Sequence, residues 1–425
     1  MNSPIRGLLA LGAVAVLAFA GCGGGAAPTP VNDHVLRIAM GSPGEAQIRV
    51  WNDVADQFMK AHPETKVELN FQQDDLYEQI GLTNLLNGKN PPDIYFEWTG
   101  ARLAQKVKDG FAADLTAAFK TGDLKGLWDD AVLNQYTLDG KTVMVPYAAD
   151  VTNVLWYNKQ IFLENGLKAP ATWDELLSVC DTLSAKGIIP IASGNKDLWA
   201  AGNWLAHQTS RVVGEDAYAA VLGGTGKFDT PEWEAALDYI VQLRDHKCVN
   251  ESANAIDDNE GAQLFFGGKA AMHMIGSWLV SWAIDEAPSL DFDYVNLPAM
   301  PSGAKGNQGS VIGVATGFIV NGKSAKIAEA TQFMALLNND ANVQAFIAAE
   351  VTPLARSASA GQEIDARTTS LSELLNGAPS IVLPPDTGYD LKMADAFYSA
   401  LAAVLGGQAT PKDALAGIDA ALGRK

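Results

Sequence analysis

One stretch, Val145–Lys159 (VPYAADVTNVLWYNK), constrains the fold more than any other. It begins as an apolar strand, passes Asp150 among small residues, and resumes as Val154-Leu155-Trp156-Tyr157 before Asn158 opens a helix. A strand that changes neighbours midway is a natural crossover between two sheets. Tyr147 and Asp150 are expected at that crossover. In open α/β folds ligands collect beyond the carboxyl ends of the strands, where strand order reverses, so these two residues are expected to form one wall of a cleft.

A chain of 425 residues exceeds what a single hydrophobic core organises, and two lobes are expected. Strands and helices alternate on both sides of the crossover, as in a mostly parallel sheet. Before it, LRIAM (36–40), KVELNF (66–71) and IYFEW (94–98) are strands separated by helical patterns, and loops 41–45, 72–75 and 97–100 should share one edge. Leu138-Asp139-Gly140-Lys141 reads as a two-residue hairpin turn. After the crossover, Thr172 and Glu175 form a capping box, IIPIAS and KAAMHMI read as strands, and SVIGVATGFIV (310–320) is long and β-branched enough to cross back. Val351–Arg356 is expected to be a third crossing.

Residues 1–21 read as a leader, with Arg6, an apolar run from Leu8 to Phe19, and Ala20-Gly21-Cys22 at the cleavage site. This resembles a bacterial lipoprotein signal, in which Cys22 is acylated and becomes the first residue; residues 22–34 would then be a tether. The expected location is outside the cytoplasm, anchored through that lipid. Of the two remaining cysteines, Cys180 and Cys248 either pair or stand as separate buried thiols. A formal charge of −19 argues against nucleic-acid and anionic-membrane partners, which need clustered Lys and Arg, and favours a neutral or cationic ligand.

Four stretches, PPDIYFEW (91–98), VPYAADVTNVLWYNKQIF (145–162), GLKAPATWDELLSVCDTL (166–183) and LFFGGKAAMHMIGSWLV (264–280), resemble the extracellular solute-binding proteins, family 1, of carbohydrate ABC importers. The resemblance implies an α/β, two-lobed periplasmic-binding-protein-like fold, each lobe a mostly parallel sheet flanked by helices, with three interlobe crossings and a sugar held between the lobes. The corresponding divisions are 35–148 and 314–353 for the first lobe, and 149–313 and 354–425 for the second. It further implies hinge closure, delivery to the transmembrane permease subunits, and a monomer with no cofactor and no catalysis.

A sugar presents apolar C–H faces and a rim of hydroxyls, so its site needs flat aromatic platforms and planar polar groups. Trp278 is the favoured platform, since Gly276 and Ser277 before it let a ligand come close. Trp199, Trp204 and Trp98 are further candidates. Asp150 and Asp390, the latter beside Tyr389, are the carboxylates expected to accept vicinal hydroxyls, with Glu45, Asp74 and Glu97 at loop tips as additional acceptors. Asn203, Lys196 and Arg356 are candidate donors, and Tyr147 completes the wall.

The segment Gly317–Ser324 (GFIVNGKS) satisfies the phosphate-loop pattern GxxxxGK[ST]. Its Phe-Ile-Val centre continues a strand and puts bulky side chains where backbone N–H groups would have to face phosphate, so Ser324 is read as a helix cap instead. The five histidines show no metal-ligand spacing. The competing functions are a glycoside hydrolase using Asp150 and Asp390, and a receptor for a non-sugar solute.

Overall fold

The computed structural model describes residues 33–423 apart from 352 and 360–364. The expected leader, the expected acylation at Cys22 and most of the expected tether lie outside the described residues. The strands are β1 (Val35–Gly41), β2 (Lys66–Gln72), β3 (Ile94–Trp98), β4 (Thr137–Leu138), β5 (Lys141–Thr142), β6 (Val145–Val151), β7 (Val154–Asn158), β8 (Ile189–Ala192), β9 (Ala270–Ile275), β10 (Phe292–Val295), β11 (Val311–Val320) and β12 (Ile381–Val382). They form one sheet in the order β12-β11-β3-β1-β2, with β6 also paired to β11, and a second sheet in the order β10-β7-β9-β8. Helices cover both faces of each sheet, giving two α/β lobes.

Side-chain alternation explains the layering. In the first lobe Leu36, Ile38, Phe318 and Val320 face one apolar cluster, while Ala39, Tyr95 and Ile319 face another on the opposite side. In the second lobe Leu155 enters one cluster and its neighbours Val154 and Trp156 the other. The hairpin forms as the sequence indicates, with Asp139 and Gly140 both at positive φ. The Thr172–Glu175 capping box also forms, at the start of helix Trp173–Ser184.

The crossover is visible in the pairing. β6 lies antiparallel on β11, and after only Thr152 and Asn153 the chain continues as β7 in the second sheet. β11 is buried along all ten residues; Val311 and Ile312 at its start pack in the second-lobe clusters and Phe318 and Val320 at its end in the first-lobe cluster, so it runs from one lobe into the other. At Gly317 a Cβ would lie 2.3 Å from the Val145 carbonyl oxygen, so only glycine lets the two crossing strands approach here. Pro353 bridges to Ala148, and Val351, Leu354, Ala355 and Arg356 still contact the first lobe, whereas Leu371 packs in the second, so the expected crossing at Val351–Arg356 is placed too early.

Two details differ from expectation. The second sheet is mixed rather than mostly parallel: β7 is antiparallel to both β10 and β9, and only β8–β9 is parallel. β7 enters from β6, a strand of the other sheet, so no strand–helix–strand unit within its own sheet precedes it to set it parallel. Ser324 does not cap a helix; its hydroxyl donates to Asp93 Oδ1 at 2.5 Å and accepts from the Lys326 amide, and helix Ile327–Leu337 starts later. Phe318-Ile319-Val320 belong to β11, as the argument against a phosphate loop requires.

Cys180 and Cys248 are joined, with Cα atoms 4.9 Å apart, which settles the alternative left open by the sequence. The bond closes a span of 68 residues and on chain-entropy grounds contributes about 4 kcal/mol. Among the described residues no helix is long and apolar enough to cross a membrane.

Candidate ligand-binding site

A cavity of about 620 Å³ lies between the lobes. Its first-lobe wall comes from the loop ends after β1, β2 and β3, its floor from the crossing strands, and its second-lobe wall from helix starts at Trp199, Trp278 and Asp386. The lobes also touch beside it: Asp285 accepts from the Ala46 amide at 3.3 Å and faces Arg49 at 3.7 Å.

Trp278 sits at the N-terminus of helix Leu279–Glu286 and lines the cavity, its ring centroid 5.9 Å from that of Trp199 and tilted by 49°. Gly276 does not line the cavity. A Cβ there would lie 2.1 Å from the Trp278 ring, so this glycine makes room for the indole itself rather than for a ligand. Ser277 does line it: its amide donates to the Val151 carbonyl at 2.9 Å and its hydroxyl to Asp150 Oδ1 at 3.0 Å, stapling the Trp278 loop to the crossing strand.

Burial pushes the Asp150 carboxyl up to about 6, against the opposing hydrogen bond from Ser277. Because the folded value lies above the unfolded 3.8, the native state holds a proton between those values that the unfolded state has released. Stability is therefore expected to fall as pH rises from about 4 to 6, by on the order of 2 kcal/mol, with the full cost present above pH 6. Asp150→Asn should remove this component and be the more stable protein at pH 7. Urea midpoints measured across pH 4–8 would show parallel curves for the two proteins if the carboxylate were ordinarily solvated.

Tyr147 forms part of the floor, packed edge-on against Phe318 and Phe346, with its hydroxyl 3.3 Å from Gln47 Oε1. Glu45 and Asp74 line the first-lobe wall. Asn203 lines the second, its Oδ1 accepting from the Tyr398 hydroxyl at 2.7 Å. Trp98 lines the cavity with the Arg102 guanidinium 4.6 Å from its ring centroid.

Other sequence candidates fall elsewhere. Glu97 precedes Trp98 on β3, so alternation turns it to the opposite face; it is fully buried and pairs with Arg102 at 2.9 Å and Lys106 at 3.4 Å. Trp204 is one residue past Asn203 on helix Trp199–Val213, and the turn of about 100° per residue carries it into the apolar core. Tyr389 packs on Tyr218 outside the cavity. Asp390 is the exposed N-cap of helix Leu391–Leu405, accepting from the Lys392 and Met393 amides. Arg356 is exposed and pairs with Asp129 at 2.7 Å, and Lys196 is likewise exposed and off the cavity wall.

Several lining residues escaped the sequence reading. Trp282 stands one helical turn beyond Trp278, and Glu78 lies four residues beyond Asp74; i, i+4 spacing from the chosen residues would have found both. Asp386, in the same PPDTGYD segment as Asp390, also lines the cavity. Glu78 pairs with Arg102 at 2.7 Å, and burial, with Asp386, Asp74 and Glu97 nearby, raises its carboxyl against the pull of Arg102. Burial raises Asp386 in the same way.

An interlobe cleft with aromatic rings and carboxylates, and no cluster of three metal-binding groups among the described residues, can hold a polar solute with flat apolar faces. The sequence matches the bacterial extracellular solute-binding protein family over residues 43–344. An uncharacterized ABC transporter extracellular-binding protein of Pyrococcus horikoshii is 25% identical over 305 residues, 69% of this chain and 68% of its own. A solved structure from work on xylan utilization by the thermophilic bacterium Caldanaerobius polysaccharolyticus is similar at TM-score 0.82 and 21% identity, covering 90% of this chain and 98% of that one. A chitin oligosaccharide binding protein is similar at TM-score 0.81 and 20% identity, over 91% and 98%. With the two lobes and the cleft between them in place, the match over residues 43–344 means that the chain belongs to the bacterial extracellular solute-binding protein family.

Proposed function

We propose that this protein captures a sugar or oligosaccharide between its lobes and presents it to the permease of an ABC importer, held near the membrane as a monomer by acylation of Cys22. The observation that carries this reading is the grouping of four indoles, Trp98, Trp199, Trp278 and Trp282, with Asp150 around one interlobe cavity. Indole faces suit the C–H faces of a pyranose, and a carboxylate accepts paired hydroxyls through charge-assisted bonds. A micromolar Kd needs about −8 kcal/mol, within reach of a few such contacts. The resemblance to a chitin oligosaccharide binding protein supports the same class of ligand. Contacts to both lobes exist only when they are closed, so a ligand shifts the population toward closure.

The rival hydrolase loses its proposed pair, because Asp390 caps a helix at the surface while Asp150 lines the cavity. Saccharides incubated with the purified protein are expected to be recovered intact; new reducing ends would replace the receptor reading with an enzymatic one.

A further inference from the structure

From the charge inventory of the cleft, and resting on the saccharide reading above, we infer that the ligand is a saccharide carrying a protonated amine. Eight of the cavity-lining residues are carboxylates, and none of the lining residues is Lys, Arg or His. Arg102, behind Trp98, balances Glu78, while Glu350 is held by the Thr368 hydroxyl at 2.6 Å. Asp150 has only the neutral Ser277 hydroxyl; Asp386 feels the Arg102 charge, yet its Oδ1 is buried with no hydrogen-bond partner among the described residues. Thr152 lines the same cavity, is 5% exposed, and its hydroxyl is also without a partner. Buried acceptors left open in this way call for a donor from outside.

Closing the cleft strips water from these like charges, a cost that grows as the local dielectric falls. A neutral sugar offers them hydroxyls only, and a uronic acid or sugar phosphate adds repulsion. An ammonium group on the sugar supplies both the donors and the opposite charge. Burial raises the Asp150 carboxyl, opposed only by the Ser277 hydroxyl. A bare metal ion would need ligands that converge, and among the described residues no three candidate groups do so. The four indoles favour a ring-bearing cation over a flexible polyamine.

Calorimetric titration tests this with glucosamine, galactosamine and mannosamine and their short oligomers, set beside the N-acetylated, parent neutral and uronic-acid counterparts. The tightest binder is expected to be an amine, by about tenfold or more over its own N-acetylated form, with the margin shrinking in high salt. Asp386→Asn should reduce that margin while affecting the neutral counterpart less. The inference is overturned if a neutral or acidic counterpart binds as tightly or tighter, if the wild-type margin ignores salt, or if Asp386→Asn weakens both forms equally. Binding by neutral sugars alone would leave the sugar receptor standing without its amine preference; no binding by any saccharide would remove the sugar reading itself.

Discussion

Replacing Trp278 by alanine is expected to weaken saccharide binding more than tenfold while the fold persists. The indole projects from a helix N-terminus into the cavity, is only partly buried, and rests on Gly276 at the edge of an apolar cluster. Its removal therefore takes stacking area from the ligand more than packing from the protein. A ring of this size buries up to about 250 Å² on full coverage, and a loss of 1.4 kcal/mol is already a factor of ten. Calorimetry with the best saccharide, alongside the thermal unfolding midpoint, separates the two effects. Unchanged affinity would place the ligand away from this wall.

Arg102→Ala is expected to cost about 3–5 kcal/mol of stability, because it leaves buried carboxylates without their cation. Arg102 donates through Nε to Glu97 Oε1 at 2.9 Å and through Nη1 to Glu78 Oε1 at 2.7 Å, while its guanidinium lies against Trp98. Glu97 would keep the Trp98 amide at 3.1 Å and, as its one cation among the described residues, Lys106 at 3.4 Å. Arg102→Lys should rescue little, since an ammonium cannot make both bonds and stack on the indole. A denaturation midpoint within 1 kcal/mol of wild type, by the usual linear extrapolation, would show that the two glutamates are not dependent on this cation. Saccharide affinity should fall as well, because Trp98 loses the group that fixes its plane.

The sequence exposes the scaffold more readily than the site, for physical reasons that individual residues illustrate. The crossing at Tyr147–Asp150 is readable because an apolar strand interrupted by one acid and small residues has few other uses, and the hairpin at Asp139-Gly140 because positive φ demands such residues. Trp278 and Asp150 line the cavity because each ends or breaks a strand where the lobes meet. Trp204 and Glu97 do not, since one residue of helical or strand phase moves a side chain from cleft to interior, and a list of aromatics and acids carries no phase. Asp390 and Asp386 show the limit within a single segment: the first satisfies the amides of a helix it precedes, and only tertiary packing against Tyr398 and the first lobe brings the second into the cavity. The antiparallel placement of β7 likewise goes with its entry from a strand of the other sheet, which local pattern does not encode.

In the proposed receptor, one solute is held by both lobes at once. Small-angle scattering of the protein with and without its best saccharide tests this most directly. A smaller radius of gyration is expected in the saturated state, reversed when the sugar is removed; the same radius in both states, at concentrations where calorimetry shows full occupancy, would rule out closure of the two lobes around the ligand.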